Sequence, residues 1–440
     1  MPLATAFHSR TSTLNRTGLW KHWSGFLVAP QYQYSLTTEY YAIRNAAALL
    51  DTSPLFKYRL SGPGARAVLE RGLARDIGGC GVGRAQYTCW CDARGFVVQD
   101  GVVMQVAPGE YLLTAAEPAL RWFRRIARDI GAADATIENV SNAYGILALQ
   151  GPHAHDVLGR LTDDATGLRY FGVTRTDVAG REVTLSRTGY TGDLGYELWI
   201  RTADAEAVWD ALMDAGEDWN ITPIGTTALK MARVEAGLLL LGVDFHSSRY
   251  AWVDEERDTP LELGWDWMFR RLDEDGRDFV GRAPIEAQRA DGGGRWRTVG
   301  LAVDWDDYER VYGDAGVLPP RHEVYRESTM SVYRRGTEPW DYAGYATSFY
   351  TSSLLKRPIA LAKLPPDLAE PGTEVDLEVS VIRRPHTVLA RVARLPFYDP
   401  PRKTARLDGG SPTAESTSPT AEGPASDGEA ASAAAAGGSA

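Results

Sequence analysis

The chain has 440 residues, of which 44% are hydrophobic and 24% charged, so we expect a folded protein of more than one domain. Its formal net charge of −11 argues against a broad nucleic-acid-binding surface, because neutralising phosphates requires clustered Lys and Arg. No apolar run reaches the length of about 18 residues that a membrane-spanning helix needs. The composition therefore predicts neither a nucleic-acid nor a membrane partner.

The N-terminal segment needs separate treatment, because residues 1–38 contain no Asp or Glu, as is typical of mitochondrial presequences. A leader that is cleaved and discarded has no use for many aromatic residues, and this segment contains Trp20, Trp23 and Phe26 among others. We therefore interpret residues 1–44 as an N-terminal extension of the mature protein and expect a cytoplasmic location.

Three cysteines cannot all pair within one chain, and their spacing does not match a metal-binding pattern. Cys89 and Cys91 alternate around Trp90, which is the spacing of residues on one face of a strand. We therefore interpret Cys89 and Cys91 as strand residues in a reducing compartment, and we predict no metal site.

Two segments show the same succession of two strands and a helix. In the first, residues 102–106 and 111–113 are predicted strands around a Pro-Gly turn, and apolar residues at helical spacing follow to Ile130. In the second, predicted strands at 183–185 and 197–200 enclose a Gly-rich turn, and the following helix ends at Gly216. Strand pairs backed by helices indicate an α+β fold.

The rest of the chain divides into further segments. Residues 225–237 are predicted to be helical, and the polar, Gly-rich stretch 282–296 is interpreted as a surface linker. Residues 297–400 alternate in the manner of strands, with almost no helix, and indicate a separate β-rich domain. Residues 408–440 contain no large apolar side chain and are predicted to form a disordered tail.

The most informative run is S-R-T-G-Y-T-G-D-L-G-Y-E at residues 186–197, whose three glycines permit tight turns and a close approach of backbone to a ligand. Taken alone, such a run is usually an ordinary hairpin turn. It resembles, however, the signature S-R-T-G-Y-T-G-E-x-G-[FY]-E of the glycine cleavage T-protein family, the folate-dependent aminomethyltransferases. Further segments match that family in the same order: 51–53 (D-T-S), 60–63 (L-S-G-P), 147–152 (L-A-L-Q-G-P), 233–237 (R-V-E-A-G), 259–262 (T-P-L-E), 278–282 (D-F-V-G-R), 356–361 (K-R-P-I-A-L) and 395–400 (L-P-F-Y-D-P).

The resemblance covers residues 45–400 and implies a three-domain cloverleaf of the T-protein type with folate in a central channel. Residues 45–296 would form two mixed α/β units and residues 297–400 a C-terminal β-barrel domain. The implied function is that of an enzyme, a one-carbon transferase (aminomethyltransferase or methyltransferase) with tetrahydrofolate as its cofactor.

The resemblance also nominates residues for folate binding. Glu197 stands at the pterin-binding glutamate, and a carboxylate can accept both the ring N–H and the neighbouring amine of a pterin. Tyr87 and Tyr190 match positions whose flat apolar rings would pack against the pterin ring. The alternatives are a cross-strand ion pair for Glu197 and ordinary core packing for either tyrosine.

Asp100 is the candidate catalytic residue. It closes the segment G-F-V-V-Q-D ahead of an apolar run, where an acid is poorly solvated and needs a partner or a function. In the family the matched aspartate lies at the reacting folate nitrogen, where it would bind the cofactor and act as a general base. The alternative is a turn or cap aspartate. Arg233 is a candidate for both cofactor and substrate binding, or else an ion-pair partner of Glu235 or another acid. His246 is a candidate on the substrate side.

The match fails mainly on segments that would face the one-carbon donor. The family's D-V-S-H-M-G becomes D-T-S-P-L-F at 51–56, the first acid of its Asp pair becomes Gln99, and M-P-L-Y-G-H-E-L becomes L-L-L-L-G-V-D-F at 238–245, with loss of the polar His and Glu. Three hypotheses stay open: aminomethyl transfer from a lipoyl carrier protein, demethylation of an N-, O- or S-methylated small molecule, and non-catalytic folate binding. The third is not supported by any K-G-C-Y-x-G-Q-E motif in the sequence.

Overall fold

The computed structural model describes residues 2–274, 276–320, 325–336 and 340–407, so the predicted tail at 408–440 lies outside the described residues. Within them no helix combines the length and apolar character that crossing a membrane would need.

The described chain forms helices and strands in alternation. The helices are α1 (His8–Leu14), α2 (Leu36–Asn45), α3 (Ala65–Gly72), α4 (Leu120–Asp129), α5 (Ala154–Gly159), α6 (Ala205–Ala215), α7 (Thr226–Glu235), α8 (Arg282–Ala290) and α9 (Trp305–Asp314). The strands are β1 (Lys21–Trp23), β2 (Phe26–Val28), β3 (Ala48–Asp51), β4 (Phe56–Ser61), β5 (Arg84–Cys91), β6 (Val97–Ala107), β7 (Glu110–Ala115), β8 (Thr136–Asn139), β9 (Tyr144–Gln150), β10 (Val173–Val178), β11 (Arg181–Ser186), β12 (Gly195–Arg201), β13 (Thr222–Pro223), β14 (Arg297–Val303), β15 (Tyr325–Arg326), β16 (Met330–Arg334), β17 (Tyr342–Ser352), β18 (Arg357–Leu364), β19 (Glu374–Val381) and β20 (Arg384–Ala393).

Three sheets organise the molecule. One has the order β5-β6-β7-β4-β8 and packs its apolar face against α3 and α4, and a second has the order β10-β11-β12-β9-β3-β13 and packs against α5 and α6. In the third, β17 pairs with both β16 and β18, which closes the strands β17-β16-β19-β20-β14-β18 into a barrel. The α+β class, with two mixed units and a C-terminal barrel, is as predicted.

The two predicted strand-strand-helix successions are confirmed as β6, β7 and α4, and as β11, β12 and α6. Each helix buries the apolar side that its periodicity indicated, with Phe123 of α4 and Leu212 of α6 fully buried. The predicted helix at 225–237 is present as α7, and Cys80, Cys89 and Cys91 are free and buried.

Two predictions about the second half of the chain were wrong in part. Residues 282–296 are not simply a linker, because α8 occupies the first nine of them and buries Ile285 in the main core. Its polar residues form the exposed side of an amphipathic helix, and only the following Gly292 to Gly294 form a loop with positive φ angles. The barrel domain also contains one ten-residue helix, α9, which covers the barrel with Tyr308 and Val311.

The N-terminal segment is integrated with the second unit. Phe7, fully buried beside α1, joins the core beneath the second sheet and contacts Trp209 at a ring-centroid distance of 6.0 Å. The hairpin of β1 and β2 follows, and α2 then packs against α7 through the buried Tyr40 and Ile43.

Candidate functional site

A central cavity of about 1860 Å³ is lined by side chains from β5, β6, β12, the Gly-rich turn, α7 and the segment after it. A ligand pocket for one drug-sized molecule has about 300–1,000 Å³, so this cavity is larger than one such molecule requires. Four predicted site residues line it together: Tyr87, Asp100, Tyr190 and Glu197.

Glu197 lies in the middle of the second sheet, where β12 pairs Glu197 with Ser186 of β11 on one side and Ala148 of β9 on the other. Thr188 donates a hydrogen bond to Oε2 of Glu197, and the hydroxyl of Ser186 lies 2.7 Å from that of Thr188. The oxygen Oε1 accepts no hydrogen bond from the described residues. Burial raises the pKa of Glu197, so the site holds a poorly solvated carboxylate with an unused acceptor.

The glycines of the turn are explained by Gln150, a fully buried residue at the end of β9. A Cβ atom on Gly189 would lie 2.1 Å from Oε1 of Gln150, and one on Gly195 would lie 2.3 Å from its Nε2. Gln150 fills the space between the two glycines and receives a hydrogen bond of 2.8 Å from Thr191. Only Gly192 has a positive φ, of 73°. Close packing, more than left-handed backbone, therefore requires glycine here.

Asp100 lies on β6, directly opposite Cys89 of β5, and its Oδ2 accepts a hydrogen bond of 2.7 Å from the hydroxyl of Tyr87. Burial raises the pKa of Asp100 to about 6, because the charged carboxylate is poorly solvated there. The ring of Tyr87 is flanked by Trp265 at 5.7 Å, edge to face, and by Trp267 at 6.4 Å. This acid, in an aromatic setting and with a pKa near neutrality, can exchange a proton with a bound ligand.

Gln99, which replaces the first acid of the family's Asp pair, points away from the cavity. Its Nε2 donates to the carbonyl oxygen of Glu117 at 3.3 Å, and its Oε1 accepts from the amide of Glu117 at 3.1 Å. Successive residues of a strand face opposite sides of the sheet, so Asp100 faces the ligand space and Gln99 does not.

Tyr190 connects the Gly-rich turn to the segment that follows α7, here called the leucine loop and comprising residues 238–243. Its hydroxyl donates a hydrogen bond to the carbonyl oxygen of Leu239, while its ring faces the cavity. All six residues of the leucine loop line the cavity, whereas Phe245 is fully buried in the core outside it.

Arg233 does not reach the cavity wall. Its side chain is fully buried and forms an ion pair with Asp244, and its Nη2 donates to the hydroxyl oxygens of Ser348 at 2.7 Å and Tyr325 at 3.0 Å. The alternative of an ion pair with an acid is therefore observed, with Asp244 as the partner, whereas Glu235 binds Arg44 of α2 at 2.7 Å. In this arrangement Arg233 fastens α7 to the barrel domain.

The same ion pair corrects one interpretation of the sequence. The negative charge of the family's glutamate in the segment after α7 is kept, because Asp244 occupies the same position and supplies a buried carboxylate. Oδ2 of Asp244 also accepts the amide of Leu240 at 2.8 Å and thereby fixes the leucine loop. His246, two residues on, is exposed and does not line the cavity.

Sequence reasoning assigned no role to several residues that shape the site. Gln150 was visible as the glutamine of L-A-L-Q-G-P, and its pairing with glycines 39 and 45 residues later could have been suspected from the motif alone. Thr188, Trp265 and Trp267 gave no local signal, because their contacts with Glu197 and Tyr87 depend on the tertiary fold.

Comparison with known proteins gives matches over nearly the whole chain. The family model described as the GCVT N-terminal domain matches residues 7–271, and that of the glycine cleavage T-protein C-terminal barrel domain matches residues 297–399. An aminomethyltransferase of Saccharopolyspora erythraea is 35% identical over 362 residues, 82% of this chain and 89% of the relative. An aminomethyltransferase of Bacillus subtilis is 32% identical over 371 residues, covering 83% and 91%.

A relative with a different name is similar over an even longer stretch. The heme-dependent oxidative N-demethylase gamma subunit of Ectopseudomonas mendocina is 30% identical over 400 residues, 88% of this chain and 94% of that protein. Among solved structures, the glycine cleavage system aminomethyltransferase T from Bartonella henselae superposes with a TM-score of 0.75 at 20% identity, covering 91% of this chain and 99% of that one. That structure supports the fold alone.

Proposed function

The chain belongs to the glycine cleavage T-protein family and is a one-carbon transferase of the folate-dependent aminomethyltransferase type, and we propose that tetrahydrofolate occupies its central cavity. In this proposal Glu197 binds the pterin ring, and Tyr87 and Tyr190 pack against it. Asp100 lies at the reacting nitrogen. The observation that carries the proposal is the convergence of these four side chains on one cavity.

The residues present suit a pterin. Glu197 offers a carboxylate oxygen without a donor in the described residues, and a pterin presents an N–H beside an amine that would satisfy it. Thr188 holds the other oxygen, which keeps the carboxylate in one orientation. A buried acid left without a ligand is costly, so this arrangement favours a ligand with donors at that point.

When bound, tetrahydrofolate supplies the nucleophilic amine that accepts the one-carbon unit. Asp100, with a pKa of about 6, is mostly ionised at neutral pH and can take the proton that this amine loses. Tyr87 orients the carboxylate through Oδ2, and Trp265 and Trp267 pack beside the ring of Tyr87. For Arg233 to bind a ligand, its buried ion pair with Asp244 would first have to open.

The donor that we propose is a small molecule, which would make the chain a tetrahydrofolate-dependent demethylase or a related transferase. The leucine loop contributes apolar wall to the cavity where the family pattern is more polar, as a pocket for a methylated compound needs. The similarity to an N-demethylase subunit over 88% of the chain points in the same direction. Aminomethyl transfer from a lipoyl carrier protein is the second candidate, favoured by the 35% identity to an aminomethyltransferase. We keep His246 only as a candidate near the donor, outside the cavity wall.

A cytoplasmic location is also a proposal. It rests on the sequence composition and on three cysteines that are free and buried, as is usual in reducing compartments.

The first experiment titrates reduced folate into the wild-type protein and the Glu197→Gln variant. Glutamine keeps the shape but places an amide donor opposite the donors of the pterin, which should weaken binding by roughly 1.5–3 kcal/mol. Glu182→Gln is the matched control, since Glu182 lies on the neighbouring strand β11 and is exposed outside the cavity. Equal affinities for all three proteins would remove Glu197 from the folate site.

The second experiment identifies the donor. Tetrahydrofolate is supplied with either an aminomethylated lipoyl carrier or a panel of N-, O- and S-methylated small molecules, and methylenetetrahydrofolate is distinguished from 5-methyltetrahydrofolate. Formation of 5-methyltetrahydrofolate from a panel member supports the proposal. Product only from the carrier protein would replace it by the second candidate.

A further inference from the structure

One part of the cavity wall lies beside Asp100 and takes no part in the proposed folate contacts. It is formed by Thr52, Leu55, Ala115 and Ala116, which all line the cavity and which we call the donor wall. Thr52 and Leu55 belong to the turn between β3 and β4, and Ala115 ends β7. The donor wall therefore joins a turn in which the sequence departs from the family pattern to the strand next to β6.

The pairing of β6 with β7 aligns the donor wall with Asp100. The two strands are antiparallel, and their register, continued by three residues, places Asp100 beside Ala116. The side chain of Gln99 shows the same alignment, because it hydrogen-bonds to the amide of Glu117 at 3.1 Å and to its carbonyl oxygen at 3.3 Å. Asp100 and Ala116 are therefore neighbours across the two strands.

The pairing of β7 with β4 continues the same row. Phe56 of β4 lies opposite Ala115, so that Leu55 follows beside Ala116. Neighbouring strands are about 4.8 Å apart, which places Leu55 roughly 10 Å from Asp100 with Ala116 between them. All three line the cavity, so this row is open to a ligand.

The donor wall presents aliphatic side chains from a turn that is held in place. Leu55 and Ala116 are half-buried and line the cavity. The turn is fixed by the fully buried Lys57, whose Nζ donates to the carbonyl oxygens of Ser53 at 2.6 Å and of Leu55 at 2.8 Å. The position of Leu55 is therefore set before any ligand binds.

The N-terminal hairpin lies against the donor wall. Trp23 and Ser24 line the cavity, and the hydroxyl of Ser24 donates to the carbonyl oxygen of Ala116 at 3.4 Å. Glu117, which follows Ala116, forms an ion pair with Arg249 at 3.3 Å, so its negative charge is balanced. The hairpin thus limits the space in front of the donor wall.

A reacting methyl group has to approach the folate amine beside Asp100, so the rest of a small donor lies close to this row. Aliphatic surface favours apolar groups, because both sides then lose contact with water. We infer that the donor wall binds an apolar, non-reacting part of the one-carbon donor and selects donors by the length of that part. This inference rests on the proposed function. The distance of roughly 10 Å between Asp100 and Leu55 limits that part to a few carbon atoms.

The test measures kcat/KM at saturating tetrahydrofolate for N-methylalkylamines, alkyl methyl ethers and alkyl methyl sulfides, with alkyl chains that grow from methyl to butyl. The product measured is 5-methyltetrahydrofolate. The variants are Ala116→Leu, which fills the space beside Asp100, Leu55→Ala, which enlarges it, and their combination. Ala207→Leu is the matched control, because Ala207 is an exposed residue of α6 outside the cavity. Tetrahydrofolate affinity and melting temperature are measured for every protein.

In the wild type and in Ala207→Leu, kcat/KM should increase about threefold to fourfold for each added methylene until the donor wall is covered. Ala116→Leu should reduce kcat/KM of the butyl members by about tenfold or more, and that of the methyl members by much less. Leu55→Ala should move the optimum to longer chains, and the combined variant should recover part of the loss caused by Ala116→Leu. Tetrahydrofolate affinity should be equal in all proteins, which would not follow from damage to the fold.

A wild-type kcat/KM that is independent of chain length would overturn the inference. An Ala116→Leu variant that slows all chain lengths equally would also overturn it, because the substitution would then act on the chemical step. Absence of product from all three series, in a wild type that binds tetrahydrofolate, would instead contradict the proposed small-molecule donor, and the inference would fall with it.

Discussion

Replacement of Asp100 by Asn should slow the enzyme and stabilise the fold. The pKa of this carboxyl is raised from its ordinary value of 3.8 to about 6 by burial, so its charged form is disfavoured in the folded protein. A rise of roughly two pKa units corresponds to about 3 kcal/mol against the ionised fold. Since Asp100 is partly open to the cavity, we expect about 1–2 kcal/mol of this to appear as added stability of the neutral Asn variant.

The stability difference between the Asp100→Asn variant and the wild type should depend on pH in a defined direction. A group whose pKa is higher in the folded state stabilises the fold below its unfolded pKa and loses that contribution as the pH rises through the folded pKa. The gain in free energy of unfolding of the Asn variant over the wild type should therefore develop between pH 3.8 and about 6 and stay constant above that. Urea unfolding at about pH 5 and about pH 8 should show a larger difference from wild type at the higher pH.

Turnover of the Asp100→Asn variant should decrease, although its stability increases. Asn keeps an oxygen that can accept the hydrogen bond of Tyr87 but cannot accept a proton, so the chemical step should slow by roughly 100-fold or more while folate binding is largely kept. The wild-type rate should fall as the pH decreases through about 6. Asp214→Asn, an exposed acid of α6, is the control for both measurements. Unchanged turnover would refute the base role, and a stability difference independent of pH would refute the burial argument.

Two further predictions concern packing and the C-terminus. Gly189→Ala should cost about 1–3 kcal/mol because its Cβ would lie 2.1 Å from Oε1 of Gln150, and the combination with Gln150→Ala should cost less than the sum of the single changes, as a double-mutant cycle by urea unfolding would measure. Additive costs would mean that the two residues do not compete for space. Truncation after Leu407 removes no large apolar side chain, so the melting temperature and folate affinity should hardly change, and a decrease of more than a few degrees would contradict this.

Local patterns in the sequence were sufficient for much of the fold. The apolar runs in β6 and β7 and the helical spacing in α4 are signals within a dozen residues, and the structure has these elements where the patterns predicted them. Helix α8 was missed because one buried apolar residue, Ile285, decides its orientation, and a polar, Gly-rich segment shows little periodicity. The motif at 186–197 resembles the signature of the family, and that resemblance nominated Glu197 as the matched glutamate.

Tertiary structure decided which of the named residues share a cavity. Asp100 and Gln99 are neighbours in sequence, yet only Asp100 faces the ligand space, because the direction of a side chain on a strand depends on which face of the sheet is covered. Arg233 was a candidate ligand by its motif, but its partner Asp244 lies beyond the end of α7, and only the fold brings the two charges together. The sequence by itself thus determined the family and the chemical types of the site, since these are carried by local residue patterns. Whether a side chain faces the cavity or the core depends on contacts between distant segments, which no local pattern contains.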